Sequence, residues 1–225
     1  MKNILIIGGS KGIGAAIIEE LKSSCNIINI SRSFPKEING ITHYSLDVLT
    51  DSLPDIDSLD GLVYCPGSIN LKTLSRLSLE DFENDFRINV LGAIKVLKHY
   101  EKSLMNAEGS VVLFSTVATR LGMPFHSSIA VSKSAIEGLA KSLAAEHATK
   151  VRYNVIAPTV TNTELATRLL RTEKQQDSIK NRHPLKKYLQ PSEVASLATY
   201  LLSNHSSAIS GQVFPLDAGI TTLKL

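Results

Sequence analysis

Short, continuous apolar segments alternate with longer helical patterns along this chain, and that alternation constrains the fold more than any other feature. Strands are apolar on both faces when helices cover both sides of a parallel sheet. The pattern therefore predicts an α/β fold with a doubly wound parallel sheet. The predicted strands are residues 3–7, 27–30, 43–46, 62–65, 111–114, 152–156 and 212–215, and the predicted helices are residues 13–21, 78–105, 127–148 and 191–203.

The composition excludes several classes of function. Of the 225 residues, 43% are hydrophobic and 20% are charged, which fits one well-buried core, so we expect a single domain spanning residues 1–225. The net charge of +3 is spread along the chain and does not indicate nucleic-acid binding. No run approaches the roughly 20 apolar residues of a membrane span. The two cysteines and six histidines lack disulfide or metal-ligand spacing, which predicts a cytoplasmic protein without a metal site.

Residues 159–190 interrupt the alternation before the last predicted helix. The segment is polar, and it carries seven cations: Arg168, Arg171, Lys174, Lys180, Arg182, Lys186 and Lys187. Two interpretations stay open for it. One is an ordinary solvated helical excursion, and the other is a mobile lid over a substrate pocket.

The first apolar segment runs directly into a glycine-rich turn that opens a helix. Glycines let the backbone turn tightly and approach a pyrophosphate, which then lies at the positive end of the helix. The turn therefore predicts a dinucleotide site in a Rossmann-type fold, with the spacing G-x-x-x-G-x-G. Its residues are Gly8, Gly9, Ser10, Lys11, Gly12, Ile13 and Gly14.

That spacing, with motifs farther along the chain, resembles the short-chain dehydrogenase/reductase family. The resemblance covers nearly the whole chain and implies an oxidoreductase that uses a nicotinamide cofactor, with Asp47 and Val48 beside its adenine. The motifs that carry it are Asp47-Val48, Asn89-Val90-Leu91-Gly92, Ser115-Thr116, the lysine Lys133 of a Y-x-x-x-K motif, Arg152 to Pro158 with Thr161 and Thr163 beyond it, and Ile209-Ser210-Gly211 through Asp217-Ala218-Gly219.

The end of the second predicted strand indicates which nicotinamide cofactor is used. Enzymes specific for NAD usually have an acidic residue there, which binds the ribose hydroxyls and repels a 2′-phosphate. This chain has Ser31 and Arg32 instead, and Lys11 in the glycine turn supplies a second cation. Two cations and a hydroxyl suit a phosphate, so we expect NADP(H) rather than NAD(H).

The resemblance also implies an active site from which one residue is missing. In the family a tyrosine protonates the carbonyl oxygen, and a lysine one helical turn later lowers the tyrosine pKa and holds the ribose. A serine polarises the carbonyl, and an asparagine anchors a water relay. The equivalent residues here are Asn89, Thr116 (or the adjacent Ser115), Ile129 and Lys133. Ile129 has no proton to give, and losing a positioned general acid costs about 10²- to 10⁴-fold in rate.

Two further segments depart from the family pattern. The family's N-A-G after the fourth strand is Cys65-Pro66-Gly67 here, and its Pro-Gly after the sixth strand is Pro158-Thr159. Both segments line the cofactor cleft in the family. The resemblance therefore implies that Cys65, Pro66, Gly67 and Pro158 contact the cofactor.

Several groups could replace the missing phenol. His126 lies three residues before Ile129, and an imidazole can act as an acid near neutral pH, but only proximity distinguishes it from a surface loop residue. Ser127 and Ser128 neighbour Ile129 on other helix faces. Other groups that stay open as donors are Tyr64, Tyr188 and a desolvated Lys133.

The sequence thus predicts an NADP(H)-dependent oxidoreductase of the short-chain type with an altered active site, acting on a small carbonyl or alcohol. The alternatives are a non-catalytic NADP(H)-binding protein, such as a redox sensor or partner subunit, and a reaction such as isomerisation in which the substrate manages its own proton. The family usually packs its fourth and fifth helices against two-fold mates. Because helix 127–148 has more apolar positions than one buried stripe needs, we expect a homo-dimer or homo-tetramer.

Overall fold

A computed structural model describes residues 1–33 and 40–224 of the chain. The strands are β1 (Lys2–Ile7), β2 (Cys25–Ser31), β3 (Ile41–Ser45), β4 (Gly61–Tyr64), β5 (Ser110–Phe114), β6 (Arg152–Pro158) and β7 (Val213–Leu216). The helices are α1 (Gly12–Leu21), α2 (Leu79–Phe86), α3 (Gly92–Asn106), α4 (Ser127–Glu146), α5 (Glu173–Arg182) and α6 (Pro191–Leu202). The predicted domain, residues 1–225, includes residues 34–39 and 225, which lie outside the described residues.

The strands form one parallel sheet in the order β3-β2-β1-β4-β5-β6-β7. Because successive side chains of a strand point to opposite faces, each apolar strand contributes to two cores. Leu5 and Ile7 of β1 pack in the core that contains α3 and α4, whereas Ile4 and Ile6 pack in the core that contains α1 and α6. This arrangement confirms the predicted doubly wound α/β fold.

The helix predicted for residues 78–105 is interrupted. It consists of α2 and α3 joined by a π-helical turn over Arg87–Leu91, and α2 begins with a capping box between Ser78 and Asp81. A π-helical turn inserts one extra residue into a helix, which the 3.6-residue periodicity of the side chains does not reveal. Single π-turns occur often at functional sites, and this one contains Asn89.

The segment 159–190 contains α5, and this helix begins with a second capping box, between Thr172 and Gln175. All strands run in the same direction, but successive strands are added on one side of β1 up to β3 and on its other side from β4 onward. Ligands of such sheets bind outside the carboxyl ends of the strands at this switch point. Among residues 1–33 and 40–224, no helix is both long enough and apolar enough to cross a membrane.

Candidate active site

The glycine turn lies at the carboxyl end of β1 and needs its glycines. Gly8 has φ +81°, a left-handed conformation that side chains disfavour. A Cβ atom on Gly14 would lie 2.4 Å from the carbonyl oxygen of Gly8, so the first turn of α1 packs directly on the loop. The Gly9 amide donates to Oδ1 of the buried Asn29 at 2.9 Å, which ties the turn to β2. The loop is thereby held with the amino end of α1 beside the crevice.

A first cavity of about 320 Å³ opens at this turn, at the carboxyl ends of β1 and β2. Gly12 and Gly14 do not line it and serve the turn itself. The cavity brings together nine of the residues expected to hold a cofactor: Gly8, Ser10, Lys11, Ser31, Arg32, Asp47, Val48, Pro66 and Gly67.

The three residues expected around a 2′-phosphate differ in whether their side chains already have hydrogen-bond or ion-pair partners. Arg32 is exposed, and its guanidinium has no hydrogen bond or ion pair within the described part of the chain. Ser31 is buried, and its hydroxyl donates to the carbonyl oxygen of Ser33 at 3.0 Å. Lys11 Nζ lies 3.0 Å from the carboxylate of Glu164, which also lines this cavity. Sequence reasoning missed Glu164, although it directly follows Thr163, a residue of the family motif.

A second cavity of about 200 Å³ adjoins the first and shares Gly67 with it. Most of its wall is apolar, and it also includes Ile129 and His126. The residues expected at the cofactor or the reaction centre that line this cavity are Ile13, Cys65, Asn89, Ser115, Thr116, Lys133, Pro158, Thr161 and Thr163. The two cavities therefore bring together all of the predicted site residues except the two turn glycines.

Lys133 reaches this second cavity from α4. Burial lowers the pKa of its ammonium from 10.5 to about 8, and burial raises the pKa of the neighbouring Cys65 thiol to about 12. The Nζ atom of Lys133 has no hydrogen-bond partner among residues 1–33 and 40–224. A Cβ atom added to Gly67 would lie 3.9 Å from this Nζ, an ordinary contact, and 3.2 Å from Oδ1 of Asn89, a tight one, so both groups lie close to Gly67.

Asn89 lies fully buried in the π-helical turn. Its Nδ2 donates to the carbonyl oxygen of Asp85 at 2.8 Å and to Ser68 Oγ at 3.1 Å. Its Oδ1 is buried and has no partner among the described residues. Because a buried acceptor without a donor is rare, this atom indicates a missing ligand or water that carries hydrogen-bond donors. Together with the unpartnered ammonium of Lys133, it fits the hydroxyls and amide of a nicotinamide nucleoside.

The two adjacent hydroxyls after β5 have different partners. Ser115 Oγ donates to Glu137 Oε1 at 2.6 Å, and Thr119 Oγ1 donates to the same oxygen at 2.8 Å. Thr116 Oγ1 accepts a longer bond of 3.3 Å from the Ala118 amide, and no acceptor for its own proton occurs in the described ranges. Thr116 is thus the hydroxyl that can donate to a substrate. Glu137 was not foreseen, but its position one helical turn after Lys133 could have indicated it.

Asp85 is a fully buried carboxylate directly behind this wall, and sequence reasoning also missed it. It accepts hydrogen bonds from Ser68 Oγ at 2.6 Å, from Ser128 Oγ at 2.7 Å and from Asn70 Nδ2 at 3.2 Å. A carboxylate at a position of an amphipathic helix that faces the core was the available signal. The three donors connect α2, α4 and the loop after β4.

The structure separates the candidate proton donors. Ile129 itself is 4% exposed in the cavity wall. The Tyr64 hydroxyl donates to the Ile88 carbonyl in the π-helical turn at 2.7 Å, and Ser128 donates to Asp85. Tyr188 packs in a separate apolar cluster with Leu170. Of the candidates, His126 and Lys133 line the cavity.

The segment 159–190 covers the second cavity with apolar side chains. Its wall residues include Val160, Leu165, Ala166 and Leu169, whereas none of the segment's seven cations lines either cavity. Lys180 pairs with Asp177, and Lys187 pairs with Glu193. Among the described residues, no group of three or more His, Cys, Asp or Glu side chains is arranged to hold a metal ion.

Comparison with known sequences finds reductases and dehydrogenases. A family model described as enoyl-(acyl carrier protein) reductase matches residues 46–221. The chain is 29% identical over 230 residues to the 3-oxoacyl-[acyl-carrier-protein] reductase MabA of Mycobacterium tuberculosis, with 97% of this chain and 92% of the relative covered. It is 30% identical over 247 residues to glucose 1-dehydrogenase 2 of Bacillus subtilis, with 98% and 95% covered.

Comparison with solved structures finds proteins of the same fold. A short chain dehydrogenase family protein from Francisella tularensis superposes with a TM-score of 0.91 at 25% identity, and the match covers 99% of this chain and 100% of that protein. ElxO with NADP bound superposes with a TM-score of 0.88 at 29% identity, and the match covers 99% of this chain and 100% of ElxO.

Proposed function

The chain belongs to the short-chain dehydrogenase/reductase family and is an oxidoreductase of that type, and we propose that it uses NADP(H) to interconvert a small, uncharged carbonyl compound and its alcohol. The site is an altered one, with Asn89, Thr116, Ile129 and Lys133 at the four family positions. We take the domain to be residues 1–225, with residues 159–190 as the cover of the substrate cavity.

One observation carries this proposal: an ammonium and a hydroxyl, each with hydrogen-bonding capacity to spare, share an apolar cavity that continues into the cleft at the glycine turn. Lys133 Nζ and the Thr116 hydroxyl are these groups. Gly67 is the residue at which the two cavities meet. A cofactor in the first cavity would therefore extend its nicotinamide end into the second.

Two cations support NADP(H) as the cofactor. Arg32, at the end of β2, is a cation without a partner among residues 1–33 and 40–224, Lys11 is a second cation, and the residues directly after β2 are Arg32 and Ser33 rather than a carboxylate. Glu164 competes for Lys11, which makes Arg32 the main partner of a 2′-phosphate. NADP is also bound in the related ElxO.

The residues of this chain would divide the work as follows. Bound NADPH supplies a hydride to the carbonyl carbon. Lys133 holds the nicotinamide ribose, and the Thr116 hydroxyl donates a hydrogen bond to the carbonyl oxygen, where negative charge develops. Asn89 Oδ1 and Lys133 Nζ both lie near Gly67, so Asn89 would accept a hydrogen bond from a group bound beside Lys133. Ser115 supports the site indirectly through its bond to Glu137.

The wall of the second cavity favours the substrate class. Most of the side chains that line it are apolar, and among the described residues no carboxylate or guanidinium lines it. A cationic substrate would lose its hydration there without an anionic partner, and the ammonium of Lys133 is assigned to the ribose rather than to an anionic substrate. Relatives act on substrates as different as acyl carrier protein conjugates and glucose, so this apolar wall is what narrows the choice to small, uncharged carbonyl compounds.

A second candidate function rests on Ile129. An isoleucine in place of the phenol would leave a non-catalytic NADP(H)-binding protein, such as a redox sensor or partner subunit. The test is to titrate the protein with NADPH by fluorescence and then add benzaldehyde, cyclohexanone or 2,3-butanedione. Fluorescence enhancement followed by oxidation supports the enzyme, whereas enhancement without oxidation supports the sensor.

For assembly we propose a homo-dimer or homo-tetramer in the cytoplasm. A groove between α3 and α4 is lined by Ile94, Leu97, Leu139 and Leu143, and Val131 of α4 is an exposed apolar residue. Apolar surface of this kind is costly to leave in water. Both cysteines are free thiols, as in a reducing compartment. A monomer by light scattering at micromolar concentration would contradict the assembly.

A further inference from the structure

We propose that His126 is the proton donor and acceptor of this site in place of the family's tyrosine. The proposal rests on the oxidoreductase function argued above and names the residue that completes it. His126 lines the cavity together with Ile129, Thr116 and Lys133. It directly precedes α4, which carries Ile129 and Lys133, so the helix that would hold the tyrosine also fixes the imidazole.

The local backbone holds the imidazole in one orientation. Nδ1 of His126 lies 2.7 Å from the carbonyl oxygen of Pro124, and because a carbonyl only accepts, Nδ1 carries the hydrogen. Phe125 between them has φ 69°, a left-handed conformation that is uncommon for a residue other than glycine. That conformation folds the loop back so that the carbonyl of residue 124 meets the ring of residue 126. Such conformations cluster at functional sites.

The Nδ1 bond determines which nitrogen reacts. With Nδ1–H donated to Pro124, the neutral ring has its lone pair on Nε2, and the protonated ring has its second N–H there. Nε2 has no hydrogen-bond partner among residues 1–33 and 40–224. It is therefore the atom that can give a proton to, or take one from, a ligand in the cavity.

Three hydroxyls near the cavity already donate their protons elsewhere, and the free hydroxyl of Thr116 is too weak an acid to replace a phenol. Tyr64 donates to Ile88, Ser115 donates to Glu137, and Ser128 donates to Asp85. Besides His126, the titratable side chains of the described residues that line the cavity are Cys65 and Lys133. Lys133 is needed at the ribose, and a buried thiol is a poor acid.

The step balances without any further reactant. The hydride and its electron pair go from NADPH to the carbonyl carbon, and the C=O π bond breaks with its pair moving to oxygen. That oxygen takes the proton from Nε2 of the His126 imidazolium, forming an O–H bond and leaving a neutral imidazole. The carbonyl is reduced to the alcohol, NADPH is oxidised to NADP⁺, and solvent returns the proton to Nε2. Alcohol oxidation is the reverse.

Two substitutions of His126 separate proton transfer from loop structure. His126→Asn places an amide nitrogen where Nδ1 lies and keeps the bond to Pro124, and His126→Gln places one near Nε2, where it can donate a hydrogen bond but no proton. Both variants should lose kcat by about 10²- to 10⁴-fold with 2,3-butanedione, while KM and NADPH affinity stay within about threefold. His205→Gln, at an exposed histidine beyond α6, is the matched control and should leave all three unchanged.

Chemical rescue distinguishes proton transfer by His126 from a purely structural role, because a structural role would not make the activity depend on added imidazole. His126→Ala removes the ring, and added imidazole should restore NADPH oxidation in a concentration-dependent way. Full activity in His126→Asn, or the absence of rescue in a folded His126→Ala protein, would overturn the assignment to His126 and leave the oxidoreductase proposal standing. If the unmodified protein binds NADPH and oxidises it with none of the carbonyls, both proposals fail together.

Discussion

Replacing Ile129 by tyrosine would place a phenol one helical turn before Lys133, in the wall of the apolar cavity. The ammonium of Lys133 would lower the pKa of that phenol, and Thr116 would stand across the cavity from it. A positioned general acid contributes about 10²- to 10⁴-fold to the rate. We therefore expect faster NADPH oxidation with small carbonyl compounds, and little change in NADPH affinity because the substitution leaves Lys133, the proposed ribose contact, in place.

The cost of the substitution depends on packing. Ile129 is 4% exposed, and inserting a larger side chain into a packed wall costs about 1–3 kcal/mol. For a chain of this length, each kcal/mol lowers Tm by about 2–4 °C. The adjoining cavity of about 200 Å³ gives the ring room, so we expect a cost at the lower end of this range. Ile129→Phe is the size-matched control, since it has the same ring without the hydroxyl.

The assay is NADPH oxidation with benzaldehyde and 2,3-butanedione, with cofactor affinity and Tm measured in parallel. Ile129→Tyr and Ile129→Phe are each made in the native protein and in the His126→Gln variant. The gain from tyrosine over phenylalanine should be largest in the His126→Gln background, which lacks its own donor. Equal rates for tyrosine and phenylalanine in both backgrounds would refute the reasoning. Brisk native turnover that tyrosine abolishes would show that Ile129 belongs to a different working site.

Three other changes test neighbouring parts of the argument. Arg32→Asp should weaken NADPH binding by about 10- to 100-fold and narrow or reverse the preference for NADPH over NADH, because a charge-assisted hydrogen bond is replaced by repulsion. Equal affinities of the native protein for NADPH and NADH, measured by calorimetry, would contradict this prediction. The free energy of unfolding should rise between pH 8 and 10.5, because the folded pKa of Lys133 is about 8 and the unfolded chain therefore binds more protons in that window. Lys133→Met should flatten this rise, which urea unfolding at pH 8 and at pH 10.5 measures. Asp85→Ala should lower the unfolding free energy by about 3–5 kcal/mol because it leaves three donors without their acceptor, and Asp85→Asn should lower it less. A loss under about 1 kcal/mol in Asp85→Ala would show that the buried network is not stabilising.

Local pattern was sufficient for the strands and the glycine turn. The predicted strands are short runs of apolar residues, and this composition indicates burial on both faces of the sheet. The order of strand, glycine turn and helix also predicts that Gly8 and Gly14 lie in the turn. The same periodicity located the helical stretch over residues 78–105 but not the π-helical turn inside it, because that turn changes the helical phase without changing which residues are apolar. It also could not say whether Ser115 or Thr116 has a free hydroxyl, since the answer depends on Glu137 of another element.

By itself the sequence determined the doubly wound sheet, the position of the dinucleotide turn and the absence of a phenol at Ile129, all of which follow from residue types and short spacings. Only the tertiary structure decided which polar groups are already paired. Lys11 meets Glu164 across 153 residues of chain, and the chain topology alone brings them together. Likewise, Tyr64 and Ser128 are set apart from His126 because they donate their protons to Ile88 and Asp85 on other segments, and no local pattern encodes those partners.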